Sequence, residues 1–253
     1  MIKPDVIVSW PHHMDYPLFR YNMQRFKKYF GNIYVTFTQN TMPDPHYNRF
    51  LIKNVPEIQF ITPLDAPGDW RDVSVNFILK NYSKASHVLF LEQDFLIRDR
   101  RFFEVVFTEF QYNFMYYQEG ERIHPAFALV PREVIDKTSK DFSARPPLYD
   151  HFGLFFREVG ELANGVNIEN IGLHDFEDYH HMAGFTQNYN CIKEGQPLYR
   201  PEEFLAYNHY VQKVPVVQDP SFLELCQYIE KEYGSGDTKG YIKNFFSEEV
   251  IKL

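Results

Sequence analysis

The chain has 253 residues, 44% of them hydrophobic and 18% aromatic, enough for one large α/β domain with a sizeable core. Its 26 basic and 34 acidic residues leave a net charge of −8, which excludes a broadly basic surface for sequence-independent nucleic-acid binding. No apolar run approaches the roughly 20 residues of a membrane-spanning helix.

Val6-Ile7-Val8-Ser9-Trp10 predicts a first strand, followed by a polar loop over 11–15. Residues 16–30 predict a helix, because Phe19, Met23, Phe26 and Phe30 recur at spacings of three and four and Gly31 stops it. β-Branched and aromatic content predicts strands over 33–38 and 58–61. Asp69 is the expected N-cap of the next helix, with Asp72 in its first turn and Val75, Ile78, Leu79 and Tyr82 on its apolar face.

Val88-Leu89-Phe90-Leu91 then reads as a strand buried on both faces, typical of the centre of an α/β sheet. Glu92 and Asp94 interrupt it, and Phe95-Leu96-Ile97 resumes it. Beyond it, a helix is expected over 101–110, strands over 113–118 and 126–130, and a helix from Pro131 to about 140. Residues 141–149 read as a proline-rich loop, and Asp150 as the cap of a helix to about 162. Residues 164–173 read as loop and 174–183 as a helix ended by Gly184. Further helices are expected after Asp219-Pro220 and around Tyr241, with a flexible joint over 234–237. Alternating strands and helices of this kind give a three-layer α/β fold with a mostly parallel central sheet.

Glu92 and Asp94 are two residues apart on an extended chain, so both point to one side. Two carboxylates at a strand end repel, and a divalent cation removes the repulsion. Mg2+ or Mn2+ takes one or two carboxylates together with substrate phosphates. The plainer alternative is a solvated strand end with Arg98, Arg100 and Arg101 as counter-charges.

A second cluster, His174, Glu177, Asp178 and His181, falls on one face of the expected helix over 174–183. Such a face can hold zinc, which makes a metal-dependent hydrolase the second function class, although the His-Glu-x-x-His spacing is absent. Cys191 and Cys226 have no metal or redox spacing and read as reduced core residues. Met1-Ile2-Lys3-Pro4-Asp5 holds no signal-peptide core, so a cytoplasmic location is expected.

Three local motifs occur in this order. Asn76-Phe77-Ile78 lies in the helix before the acidic strand, Leu89-Phe90-Leu91-Glu92-Gln93-Asp94 is the strand itself, and Phe176-Glu177-Asp178 follows in the second half. Together they resemble GT-A fold (Rossmann-like) glycosyltransferases, within them the inverting family-2-like enzymes. The second motif resembles the family's DxD strand with Glu in place of the first Asp, and the third resembles its xED motif.

The resemblance implies one GT-A-like domain over 1–253. About 1–100 would be the nucleotide-sugar-binding half, 101–215 the acceptor half and 216–253 a C-terminal helical segment. It implies an Mn2+ or Mg2+ ion on Glu92, Asp94 and His209. It implies a UDP- or GDP-sugar donor bordered by Ser9, Trp10, Pro11, Arg71, Asn76, Glu92, Gln93 and Asp94. Asp178 would be the general base, with Glu177, Asp150 and Asp175 as other choices. The acceptor would be a glycan, a lipid-linked glycan or a modified DNA base. The last follows a fainter likeness to phage-type glycosyltransferases acting on hydroxymethylated pyrimidines, carried by the loop Trp10-Pro11-His12-His13. A catalytically inactive nucleotide-sugar-binding module is the third class.

Overall fold

The computed structural model describes residues 2–10, 26–37, 58–61, 70–92, 95–97, 100–108, 114–120, 122–145, 151–174 and 178–181. Among them are strands β1 (Asp5–Trp10), β2 (Ile33–Phe37), β3 (Ile58–Ile61) and β4 (His87–Glu92). Next come β5 (Phe95–Ile97), β6 (Phe114–Glu119), β7 (Arg122–Pro131), β8 (Gly165–Asn167) and β9 (Tyr179–His181). The α-helices are α1 (Trp70–Asn81), α2 (Arg100–Thr108), α3 (Arg132–Ile135) and α4 (Gly153–Leu162), with 3-10 turns at Lys27–Tyr29 and Ile168–Ile171.

A seven-stranded sheet runs in the order β3-β2-β1-β4-β7-β6-β8, and β5 and β9 pair in a small second sheet. β1, β2, β3 and β4 are mutually parallel, β7 runs against β4 and β6, and β8 is parallel to β6. Six of the seven strands therefore share one direction. This is the expected mostly parallel sheet.

The apolar run of β4 explains its central place. Val88, Leu89, Phe90 and Leu91 are all buried, as a strand covered on both faces must be. One face packs Ile7, Val88, Phe90, Ala128 and Val130 against Ile78 and Leu79 of α1, Ile135 of α3, and Phe155 and Phe156 of α4. Phe90 meets the rings of Phe142, Phe152, Phe155 and Phe156 at 5.2–5.9 Å between centroids. Alternation turns Phe127 to the other face, where it meets Phe102 of α2 edge-on at 5.1 Å. Phe103 of α2 in turn packs Phe26, Tyr29 and Phe30. The helices thus cover both sides, which makes three layers.

The differences from expectation have local causes. The single strand expected over 88–97 is two strands in two sheets, with the change of partner after Glu92. The helix from Pro131 ends at Ile135 and passes into turns, while at its start Arg132 donates to Leu79 O and Ser83 O and caps the C-terminal end of α1. The expected loop over 164–173 carries β8 and a 3-10 turn capped by the Asn167 side chain. At the end of the expected helix over 16–30, residues 27–29 form a 3-10 turn. The helix expected over 174–183 is corrected: Tyr179–His181 is a strand paired antiparallel with Phe95–Ile97. Stacking of Tyr179 on Phe95 at 5.2 Å outweighs the acidic first turn that suggested a helix. The expectations for residues 16–25, 219–220, 234–237 and Tyr241 lie outside the described residues.

Gly165 shows how tightly β8 fits. A Cβ there would lie 2.6 Å from Cε1 of Tyr116 and 2.7 Å from Cδ1 of Phe114. Phe114 is fully buried and has little room to yield. Gly165→Ala is expected to destabilise the fold by about 1–3 kcal/mol through overpacking. Urea unfolding checks this, and an unshifted midpoint would mean that β8 does not lie against β6.

Candidate functional site

The order β3-β2-β1-β4 contains a topological switch point. The chain leaves β1 for β2 and β3 on one side, then crosses to β4 on the other. Open α/β sheets bind ligands outside the carboxyl ends of the strands at such a point. Here β1 ends at Trp10 and β4 at Glu92, and the register sets Ser9 opposite Glu92. Glu92 is thus delivered to the rim of this crevice by a central strand whose other residues are all buried.

Two histidines meet it there. His124 Nδ1 is 4.0 Å from Glu92 Oε2, and His181 Nε2 is 3.9 Å from the same oxygen. The imidazole centroids are 4.6 Å apart. Both histidines are buried, and Glu92 is partly so. Donor atoms of all three fall within 4.8 Å of one another.

Each histidine is aimed by a local feature. In the β6/β7 register, Tyr116 pairs with Ala128 but Tyr117 pairs with His124. Residues 125–127 therefore have no counterpart in β6, and the strand bulges at Pro125, which has no N–H to give to a ladder. The Ala126 N–H donates instead to His124 Nδ1 at 3.1 Å, and His124 Nε2 lies 3.1 Å from Glu119 Oε2. His181 is placed by the β5/β9 pairing, which sets it opposite Phe95, three residues after Glu92. Tyr117 packs edge-on to both imidazoles, at 6.0 Å from His124 and 5.4 Å from His181.

Asp178 precedes β9 and is tied down. Arg101 Nη1 donates to both its oxygens at 2.9 and 3.0 Å, and the His174 N–H donates to Oδ2 at 2.9 Å. Arg101 also donates to Gly172 O. Because 179–181 is a strand, His174, Asp178 and His181 do not form the helical zinc face expected from their spacing. That expectation is corrected for these three residues, while Glu177 and Asp175 lie outside the described residues. The described arginines after the acidic strand are paired with carboxylates. Arg101 holds Asp178 and Arg100 meets Glu104 at 3.6 Å, while Arg98 lies outside the described residues.

Of the expected donor-binding residues, Ser9 and Trp10 end β1 and Arg71 is the second residue of α1. Asn76 is engaged elsewhere, its amide donating to Asp72 Oδ1 and Lys140 O. Pro11, Gln93, Asp94, Asp150 and His209 lie outside the described residues. The site therefore joins one expected ligand, Glu92, to two histidines that sequence reasoning did not select for it. A signal for His124 was present in His124-Pro125, a histidine beside a strand-breaking residue.

A three-layer, Rossmann-like α/β fold with a donor cluster at its switch point is the class this chain defines. No protein-family model matches it, and no curated protein is similar to it in sequence. Solved structures similar to it include the mannosyltransferase PcManGT from Pyrobaculum calidifontis, in complex with GDP-Man and Mn2+. That likeness has 11% identity and a TM-score of 0.48, and covers 95% of this chain and 79% of that one. They also include the glycosyltransferase GlyE of Streptococcus pneumoniae, at 13% identity and a TM-score of 0.41, over 78% of this chain and 54% of that one. The galactosyltransferase LgtC, in complex with donor and acceptor sugar analogues, is 13% identical with a TM-score of 0.34, over 54% of this chain and 60% of that one.

Proposed function

We propose that this chain is a metal-dependent glycosyltransferase that moves a sugar from a nucleotide-sugar donor to an acceptor hydroxyl, with inversion. The observation that carries the reading is the place of Glu92, at the carboxyl end of the central strand, opposite Ser9, at the switch point. The Leu89-to-Asp94 motif fits that place. A donor diphosphate would lie along the crevice, with Ser9, Trp10 and Pro11 on its β1 side, Arg71 at the start of α1, and Gln93 on the β4 side. Glu92 and Asp94 would hold the ion, with His209 as a further ligand. Bound there, Mn2+ or Mg2+ would supply positive charge to a departing diphosphate.

The acceptor hydroxyl needs a base within hydrogen-bond reach. Asp178 is the first choice, and both its oxygens already accept hydrogen bonds, from Arg101 and from the His174 N–H. Glu177 and Asp150 are the alternatives. A glycan or lipid-linked acceptor suits a net charge of −8 and a paired arginine cluster better than a modified base in duplex DNA.

A thermal-shift panel of UDP- and GDP-sugars with and without Mn2+ tests the reading, since a ligand at 100 times its Kd stabilises by roughly 2.7 kcal/mol. Asp94→Asn is expected to abolish the metal-dependent part of donor binding while the protein stays folded. Unchanged calorimetric affinity in that variant would remove Asp94 from the metal site, and no shift with any nucleotide sugar would remove the transferase reading.

One observation favours a second reading. Two histidines and a carboxylate are also the ligand set of hydrolytic zinc sites. Zn2+-dependent ester or phosphoester hydrolysis without any nucleotide-sugar effect would select it.

A further inference from the structure

We propose that Glu92, His124 and His181 form one binding site for a first-row transition-metal ion, with Glu119 holding His124 from behind. This deepens the transferase reading by naming the ion class of its crevice, and two of its three ligands, His124 and His181, lie outside the acidic motif.

The spacing is the first ground. At 4.0 and 3.9 Å the two histidine–Glu92 contacts are too long for hydrogen bonds. They suit two ligands of a common ion, because donors about 2.0–2.2 Å from a metal lie roughly 3–4 Å from each other. Burial is the second. His124 and His181 are 8% and 7% exposed, so the cluster is held by packing rather than by mobile surface side chains. Three separate elements, β4, β7 and β9, converge on it.

The back of the site is built as metal sites are. A ligating imidazole commonly gives its other nitrogen to a carboxylate, which sets tautomer and ring orientation. His124 Nε2 faces Glu119 at 3.1 Å, and Glu119 is itself held by Arg122 at 3.3 Å. That leaves Nδ1 as the nitrogen turned toward Glu92. Its present partner is the Ala126 N–H, and metal binding at Nδ1 exchanges that bond for the ion.

The donor set names the ion class. Imidazole suits Zn2+, Fe2+, Co2+ and Ni2+, whereas Mg2+ prefers an all-oxygen shell. The site should therefore rank Mn2+ below Co2+ and Zn2+, and Mg2+ well below all three. Three protein ligands leave positions open for water or for substrate oxygens.

The test uses the full chain stripped with chelator, and CoCl2, MnCl2 and MgCl2 without nucleotide. Equilibrium dialysis should give one Co2+ per chain, with Mg2+ at least tenfold weaker than Mn2+. His124→Ala and His181→Ala should each weaken Co2+ binding by more than tenfold, and Glu119→Gln by about 10–100-fold. The wild-type protein supplies a reading that does not depend on how variants fold. Pulsed electron paramagnetic resonance of the Cu2+-loaded chain should show coupling to two imidazole nitrogens, and amide exchange at Ala126 should change on loading. No nitrogen coupling, or Mg2+ bound as tightly as Mn2+, overturns the site. Co2+ bound with imidazole coupling, but with no effect of any nucleotide sugar, supports the site while overturning the transferase reading. Donor binding with no Co2+ site does the reverse.

Discussion

Phe95→Ala is expected to cost about 3–5 kcal/mol, the range for deleting a fully buried aromatic ring. Phe95 has no exposed surface, and its ring stacks on Phe127 at 5.4 Å and on Tyr179 at 5.2 Å, and meets Phe102 and Tyr117 at 6.1 and 5.7 Å. It is therefore the common wall between the main sheet, α2 and the β5/β9 pair. Alanine leaves a cavity in a place where three elements meet, and none can close on it without leaving the others. The melting temperature should fall by about 6–20 °C, at roughly 2–4 °C per kcal/mol for a chain of this size. Metal affinity should fall with it, because Phe95 pairs with His181 and packs against its ring at 6.4 Å. Phe95→Leu should recover most of the stability. A loss below about 1 kcal/mol in Phe95→Ala would show that the small sheet is not anchored by this ring.

The contrast between legible and illegible parts follows from how local each signal is. The first four strands of the main sheet, the helix before β4 and the position of Glu92 at a strand end are written in contiguous apolar runs. Val88 to Leu91 needs no partner to be recognised as a buried strand. The switch point is not written there, because parallel strands can also follow one another in sequence order, and the reversal β3-β2-β1-β4 is seen only in the fold.

The histidines depend on pairings between distant segments. His124 faces Glu92 because three residues of β7 have no counterpart in β6, and a bulge of that kind has no period to read. His181 faces it because a three-residue strand finds Phe95–Ile97 across the chain. So short a strand is outweighed locally by the acidic run over 175–178, which imitates a helix start. Of the three converging donors, Glu92 is read from the sequence in its place, and His181 only as part of a helical zinc face that does not form. The same gap explains the arginines. Arg100 and Arg101 read as a free basic patch until the fold brings Asp178 to Arg101.

Arg101→Ala is expected to destabilise the protein by about 2–3 kcal/mol, and Asp178→Ala by a similar amount. The Asp178 side chain is 5% exposed and the Arg101 side chain 53% exposed. Removing the guanidinium leaves a buried carboxylate with the His174 N–H as its remaining hydrogen bond among those described here. The cost falls short of the range for fully buried pairs because half of Arg101 is in water, where charge is screened. The double variant should recover about 1–2 kcal/mol of the summed losses, since each partner's role is spent on the other. Both single variants should also weaken metal binding, because Asp178 leads directly into the strand that carries His181.

A general base behaves differently. Were Asp178 the proton acceptor, Asp178→Ala would lower turnover by about 10²–10⁴-fold. Arg101→Ala would then leave much of that turnover in place, and metal affinity would not follow either change. The anchor assignment fails if the cycle shows no coupling. The geometry argues for coupling. Arg101 donates to both Asp178 oxygens and to Gly172 O, and the His174 N–H donates to Oδ2, so one carboxylate holds α2, the turn over 172–174 and the start of β9 together.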